Sequence, residues 1–184
     1  SNSPLGLTRL LANAIYEDMN EHPRHHQSFL AHTGNFVEDG GDDAQYATQF
    51  FEPAAALLER LPVFIAFGEN EDISSFASDH MLEGVFQFPS TSSGSSSEKW
   101  YSFLYGNIHA AFYALFNEEV HTHDDNPLWT WMIEDFDIRA TNEHVDWIFS
   151  HMNQAPWSYG FFGENAARVD WIQTSIHPLI ADGG

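Results

Sequence analysis

The chain has 184 residues, of which 43% are hydrophobic and 15% aromatic, and this content predicts one globular domain over residues 1–184 with a substantial core. Twenty-seven Asp and Glu against six Lys and Arg give a formal charge of −21, which repels phosphate backbones and lipid headgroups and so excludes nucleic acid as a partner. No apolar run is long enough to span a bilayer, so we expect no membrane insertion, and the absence of cysteine excludes disulfides and thiolate metal sites.

The first part of the chain alternates helical and strand patterns. Apolar residues at helical spacing predict an amphipathic first helix, and they are Leu7, Leu10, Leu11, Ala14, Ile15 and Met19. Residues 28–32 form a short apolar run that is typical of a buried strand. Residues 44–60 predict one or two helices, with Pro53 in a first turn. Residues 62–67 predict a second buried strand that ends at Gly68.

The middle of the chain contains a polar run and a predicted hairpin. The serine-rich letters STSSGSSS predict a flexible surface loop over residues 90–98. Residues 100–105 and 108–115 predict a strand pair around the turn Gly106-Asn107. A hairpin of this kind places the two strands side by side in one sheet.

The last part of the chain returns to alternating helix and strand. A helical stripe is formed by Leu128, Met132, Ile133 and Phe136. Residues 145–149 predict a third central strand, and residues 166–180 predict a closing helix. Strands that alternate with helices predict an α/β protein with a layered sheet-and-helix architecture.

Three segments resemble the motifs of a known family. HTGNFVEDGGDD begins at His32, PVFIAFGENED at Pro62 and WYSFLYGNIH at Trp100. They are similar to the calcineurin-like metallophosphoesterases, closest to the purple acid phosphatase-like branch, which writes these places G-D-x-V-x-D-G, P-V-x-x-x-x-G-N-H-D/E and Y-F-S-F-D-Y-G-N-x-H. The resemblance implies a metallophosphoesterase-like sheet-and-helix sandwich that is incomplete at both ends, since the family's first and last metal motifs fall outside the chain.

The residues at the metal-binding positions of that family are replaced in this chain. The resemblance puts the bridging aspartate at Asn35, and a neutral amide cannot supply an anionic bridge between two cations. The asparagine ligand becomes Glu69, and the histidine that would assist protonation of the leaving group becomes Asn70. The imidazole ligand that follows the third strand becomes Asn153, with Gln154 beside it. We therefore expect no catalytic residues at these degenerate positions.

The residues that match the family motifs differ in kind from the residues that do not match. They are turn and packing residues: Gly34, Gly40, Pro62, Gly68, Gly106, Asn107 and Pro156. The resemblance therefore implies a catalytically inactive domain with a binding, structural or assembly role and no cofactor. The alternative is an active metal-dependent phosphatase or phosphodiesterase, a phosphoric ester hydrolase whose divalent metals occupy a rearranged site.

Several other side chains could hold a metal under that alternative. The candidates are Glu69, Glu71, Asp72, His121, His123 and Asp124. The histidine pair with its following carboxylate suits zinc, and an exposed acidic loop is the competing interpretation. The acidic loop at residues 38–43, which the family fold would bring near Glu69, could hold calcium, and a solvated acidic surface competes with that interpretation. A further cluster, Glu134, Asp135 and Asp137, is explained by helix-surface charge.

We expect a protein partner or self-association. An exposed portion of the aromatic run Trp157, Tyr159, Phe161 and Phe162 would form a partner-binding patch. The N-terminal letters lack a signal peptide, which could have been removed, and we expect an extracytoplasmic or secreted protein. The charge suits a halophilic or saline source, where salt screens like-charge repulsion, and an ordinary acidic secreted protein is the alternative.

Overall fold

The computed structural model describes residues 4–23, 27–72, 74, 77, 81–89, 94–115, 126–155 and 166–182. Helices and two small sheets make up the described part, which confirms the general α/β class. The chain divides into two compact units, residues 1–86 and 87–184. The single domain and the metallophosphoesterase-like layering stay predictions.

The first unit is built around a pair of short parallel strands. Its described elements are α1 Pro4–Glu21, β1 Leu30–His32, α2 Asp43–Gln45, a π-helical segment Tyr46–Phe51, α3 Glu52–Leu58, β2 Val63–Ile65 and a π-helical segment Met81–Val85. Leu30 lies opposite Val63 and His32 opposite Ile65. The first helix is confirmed, and both predicted strands form, although each spans only three residues. The prediction that β1 is buried was wrong, because Leu30 and His32 are half-buried and Ala31 is exposed. Pro53 lies in the first turn of α3, where its missing N–H removes no helical hydrogen bond.

A cluster of aromatic rings fills the centre of the first unit. The Phe36 ring lies 4.7 Å from Phe50 and meets Phe86 edge-on at 5.6 Å, measured between ring centroids. Tyr46 meets Phe36 at 5.8 Å. Offset and edge-to-face pairs of this kind stabilise a core beyond the area that they bury. They hold the loop after β1 against the first π-helical segment.

The predicted apolar stripe of α1 is only partly covered. Ile15 and Met19 are half-buried, whereas Ala14 is exposed and Leu10 and Leu11 are 66% and 65% exposed. The periodicity therefore predicted the helix correctly but overestimated the packing of its apolar face. In the described part of the chain no helix is both long and apolar enough to cross a bilayer.

The second unit contains a three-stranded mixed sheet with helices. Its described elements are β3 Trp100–Tyr105, β4 Ile108–Tyr113, α4 Pro127–Phe136, α5 Ile138–Thr141, β5 Trp147–Met152, α6 Ala166–Trp171, a π-helical segment Ile172–Ile176 and α7 His177–Asp182. The strand order is β3-β4-β5, with β3 antiparallel and β5 parallel to β4. The predicted hairpin is confirmed. Strand β5 begins two residues later than predicted and lies at the edge of the described sheet, so the prediction of a central strand was wrong. Of the predicted serine-rich loop, residues 94–98 are described and form turns and irregular backbone.

The two faces of this sheet have different neighbours. One face contributes Ala111 and Tyr113 to a core that includes Leu128 and Met132 of α4 and Ile172 of the last π-helical segment. Helix α4 is oriented for this packing by its first turn. The Asn126 side chain accepts hydrogen bonds from the backbone N–H groups of residues 128 and 129, at 3.0 and 3.3 Å, and a proline follows the cap. The opposite face of the sheet carries mostly aromatic side chains.

Candidate functional site

The loops that follow β1 and β2 meet at the carboxyl end of the parallel strand pair. We call residues 33–41 and 66–72 the paired loops. The His32 carbonyl accepts a hydrogen bond from Ala66 N at 2.8 Å, and the Asn70 carbonyl accepts one from Gly40 N at 3.1 Å. Because both strands run in the same direction, their carboxyl ends lie at one edge of the sheet. Three of the degenerate family positions, Asn35, Glu69 and Asn70, are therefore brought together.

Glycines allow the paired loops to approach each other. Gly34 has a φ of +85°, and a Cβ there would lie 2.7 Å from the Cα of Gly68. A Cβ on Gly68 would lie 2.1 Å from the Oε2 of Glu71, and one on Gly40 would lie 2.7 Å from the Glu71 Cα. Both distances are shorter than any side-chain carbon tolerates. The packing role predicted for these three glycines is confirmed.

The Glu71 carboxylate joins the two loops. Its Oε2 accepts a hydrogen bond from Asn35 N at 2.8 Å, and its Oε1 accepts from Phe36 N at 3.0 Å and Val37 N at 3.3 Å. Glu71 is fully buried. Burial raises the pKa of the Glu71 carboxyl, and the hydrogen bonds from the loop N–H groups oppose that rise. The three N–H groups occupy three of the roughly four lone-pair positions of this carboxylate.

Asn35 and Asn70 form further hydrogen bonds between the paired loops. Asn35 has a left-handed backbone, with φ +53°, and its Oδ1 accepts a hydrogen bond from Asn70 N at 3.1 Å. Asn70 Nδ2 donates to the Val37 carbonyl at 2.9 Å. Glu69, in the second of the paired loops, is exposed. A two-metal centre needs an anionic bridge and free lone pairs, whereas Asn35 offers a neutral oxygen that already accepts a hydrogen bond. These residues do not fit such a centre.

The acidic loop contacts the loop after β2 at Gly40, whose N–H donates to the Asn70 carbonyl. Two of its carboxylates accept hydrogen bonds from nearby backbone N–H groups. Asp39 accepts a hydrogen bond from Gly41 N at 2.9 Å, and Asp42 caps α2 by accepting from Ala44 N at 2.9 Å. Among the residues that the structure describes, no group of three or more histidine or acidic side chains could hold a metal ion. The candidates His121, His123 and Asp124 lie outside the described residues, and Asp72 is half-buried.

Two neutral side chains flank the paired loops. The His32 imidazole accepts a hydrogen bond at Nδ1 from Gly34 N at 3.2 Å, and burial lowers the pKa of this histidine. The Tyr46 hydroxyl donates to the Gly40 carbonyl at 3.1 Å. Burial, together with the negative charge of Glu71, raises the pKa of Tyr46. The sequence had not singled out either residue, because both make their bonds with backbone groups.

We expect the pH dependence of stability to report the buried state of His32. Since burial lowers the pKa of His32 below its ordinary 6.5, the unfolded chain takes up this proton more readily than the folded chain. The stabilising contribution of the neutral imidazole is therefore complete above that value and is lost as the pH falls through it towards the folded pKa. Urea unfolding at pH 5.5 to 8 should show wild type losing stability relative to His32→Gln on acidification. Parallel pH profiles would contradict this prediction.

An apolar cavity of about 340 Å³ lies elsewhere in the first unit. It is lined by residues of α1, both strands, the first π-helical segment and α3. His32 is the titratable side chain among these lining residues. Asn35, Asn70 and Glu71 do not line it. The cavity therefore offers room for apolar groups and does not open onto the degenerate family positions.

The remaining degenerate positions lie in the second unit, directly after β5. Gln154 is buried, and its Nε2 donates to the Oδ1 of Asn153 at 3.2 Å. His151 lies within β5, where its ring stacks on Phe112 at 4.4 Å between centroids and burial lowers its pKa. The aromatic run that begins at Trp157 lies outside the described residues.

A buried polar cluster in the second unit was missed by the sequence interpretation. Asp135 of α4 accepts a hydrogen bond from Ser102 Oγ at 2.5 Å and pairs with His109 Nε2 at 2.7 Å. The side chains of His109 and Asp135 are only 3% and 9% exposed. The interpretation of Asp135 as helix-surface charge was therefore wrong, whereas Glu134 and Asp137 are exposed. Because Ser102 donates to the carboxylate and not to the imidazole, this is not a nucleophile–base relay.

Comparison with known proteins assigns the chain to no family. No protein-family model matches the sequence, and no curated protein matches it. The family resemblance consequently rests on the three motif segments alone.

Proposed function

We propose that this chain is a metallophosphoesterase-like domain that has lost its two-metal chemistry and serves binding or assembly. The proposal is supported by three kinds of observation. Two of the motif segments continue from a pair of parallel strands, and the third forms a hairpin. The glycines of the paired loops are required by close backbone approach. The letters that would carry phosphoester hydrolysis are replaced.

One observation carries the proposal. Asn35 and Asn70 stand where the resemblance implies a bridging carboxylate and a proton-donating imidazole, and both amides are used to tie the paired loops together. The amide of Asn70 cannot transfer a proton at neutral pH, and that of Asn35 brings no charge to balance two cations. The loops have become a structural connection at the place where the family carries out its chemistry.

Metal content and hydrolysis measured together test this proposal. Protein supplied with manganese, iron and zinc is dialysed, assayed by inductively coupled plasma spectrometry, and tested for turnover of p-nitrophenyl phosphate and bis-p-nitrophenyl phosphate. We expect fewer than one transition metal per chain and no turnover that depends on metal. Two bound transition metals per chain with metal-dependent turnover would overturn the proposal in favour of an active phosphatase or phosphodiesterase with a rearranged site.

A restored variant sharpens the same test. Asn35→Asp, Glu69→Asn and Asn70→His together return the family letters to the paired loops, so we expect this variant to retain more metal than wild type. Asn142→Asp makes the same amide-to-carboxylate change in the second unit and serves as the control. Equal metal retention in the restored variant and the control would show that these letters are not what separates the chain from a metal site.

The charge supports a proposal about the environment. A net charge of −21 with a single lysine, Lys99, suits an extracytoplasmic protein in a saline medium, where salt weakens the repulsion between carboxylates.

A further inference from the structure

One face of the β3-β4-β5 sheet carries a ladder of aromatic side chains that becomes exposed towards the hairpin turn. Residues opposite each other in the register point to the same face, which places Tyr101, Phe112 and His151 in one row. Tyr101 and Phe112 are buried and stack at 5.1 Å between ring centroids. The second row after it on the same face, nearer the hairpin turn, has Tyr105 and Trp147 on either side of Ile108.

Three aromatic residues at this end of the face are accessible to solvent. Tyr105 is 50%, Trp147 61% and Phe149 47% exposed. We call these three residues the aromatic end. Trp147 and Phe149 are two residues apart on β5, about 7 Å along the strand, and Tyr105 lies two strands away, about 10 Å across the sheet. A solvent-facing sheet surface usually carries polar side chains, so a contiguous aromatic group of this size indicates a contact surface.

The charge around the aromatic end selects the kind of partner. Residues 87–184 contain thirteen Asp and Glu against three Lys and Arg. Asp146, next to Trp147, is exposed and is held at the hairpin turn because its Oδ2 accepts a hydrogen bond from Asn107 Nδ2 at 2.6 Å. Glu143 in the preceding turn is also exposed. Carboxylates beside aromatic faces attract cations, whereas a second copy of the chain would bring the same negative charge.

We propose that the aromatic end is a docking surface for an arginine-rich segment of a partner protein. Guanidinium groups stack on aromatic rings and pair with carboxylates at the same time, so Trp147 and Phe149 provide the faces and Asp146 the counter-charge. Aromatic and arginine side chains are also the residues that dominate binding energy at protein interfaces. The inference rests on the proposed binding role and adds the surface and the chemistry of the partner.

A labelled peptide provides the test. Binding of fluorescein-(Gly-Arg)4 is measured by fluorescence anisotropy in 150 mM NaCl for wild type and for the double variant Trp147→Ala/Phe149→Ala. The net charge of the protein is unchanged, so a loss of affinity reports the aromatic faces alone. We expect the dissociation constant to rise about 5- to 30-fold, which corresponds to removal of two cation–π contacts. Ile133→Ala, at an apolar position of α4 that is 45% exposed, is the control and should change affinity less than about twofold.

The outcomes separate this proposal from its competitors. Equal affinity of wild type and the double variant would overturn it and assign the binding to net charge. Equal affinity for (Gly-Gln)4 would overturn the requirement for arginine. Light scattering at 150 mM and 1 M NaCl measures self-association, and a dimer that the double variant abolishes would replace the partner with a second copy. Metal-dependent turnover would defeat the proposed function without altering these binding results, so the two failures are distinguishable.

Discussion

Glu71→Ala should destabilise the first unit more than any neighbouring acidic substitution. The change leaves three backbone N–H groups, those of Asn35, Phe36 and Val37, without the acceptor that they now share. Each buried donor without a partner costs about 1–3 kcal/mol. The desolvation that raises the pKa of Glu71 shows that burying its charge has a cost, which offsets part of this loss. We expect the free energy of unfolding in urea to fall by about 3 kcal/mol at pH 7.

Two further variants show which part of Glu71 matters. Glu71→Gln keeps the shape and one acceptor oxygen but turns an NH2 group towards a loop N–H, so its loss of stability should be intermediate. Glu69→Ala removes the exposed neighbour and should change the unfolding free energy by less than about 0.5 kcal/mol. If Glu71→Ala were as mild as Glu69→Ala, the carboxylate would not be what holds the paired loops.

The sequence predicted the elements around the paired loops but not the bonds between them. The apolar runs before Gly34 and Gly68 predicted two buried strands, and the structure places them side by side in parallel. The bonds themselves run from backbone N–H groups to a carboxylate 34 to 36 residues away. Nearly every residue has a backbone N–H donor, so the sequence does not predict which N–H groups will donate to a distant carboxylate.

The sequence of helix α4 contains a signal that Asp135 is buried. Leu128, Met132 and Phe136 mark its apolar stripe, and Asp135 lies seven residues after Leu128 and three after Met132, on the same face of the helix. A carboxylate on a core-facing stripe needs buried partners. The interpretation as surface charge considered only its acidic neighbours. The π-helical segments Tyr46–Phe51 and Ile172–Ile176, in contrast, have no recognised sequence pattern, and the sequence predicts ordinary helix there.

Asp135→Ala should destabilise the second unit far more than substitution of its exposed acidic neighbour Glu134. It removes the acceptor of Ser102 Oγ and the partner of His109 Nε2, and both lie in the buried part of the sheet. Each buried polar group that is left without a partner costs about 1–3 kcal/mol. Because two such groups lose their partner, we expect the unfolding free energy to fall by about 3 kcal/mol, measured by urea unfolding with tryptophan fluorescence.

The outcome for Asp135 bears on the roles of Ser102 and His109, two of the residues by which WYSFLYGNIH resembles the family motif. If these two side chains serve to fix α4 against the hairpin, Asp135→Asn, which keeps the volume and one acceptor, should lose less stability than Asp135→Ala. Glu134→Ala, the exposed neighbour on the same helix, should stay within about 0.5 kcal/mol of wild type. Equal effects of Asp135→Ala and Glu134→Ala would contradict the anchoring role. A graded series would show that Ser102 and His109, although their residue types suggest chemistry, serve to pack helix α4 on the sheet.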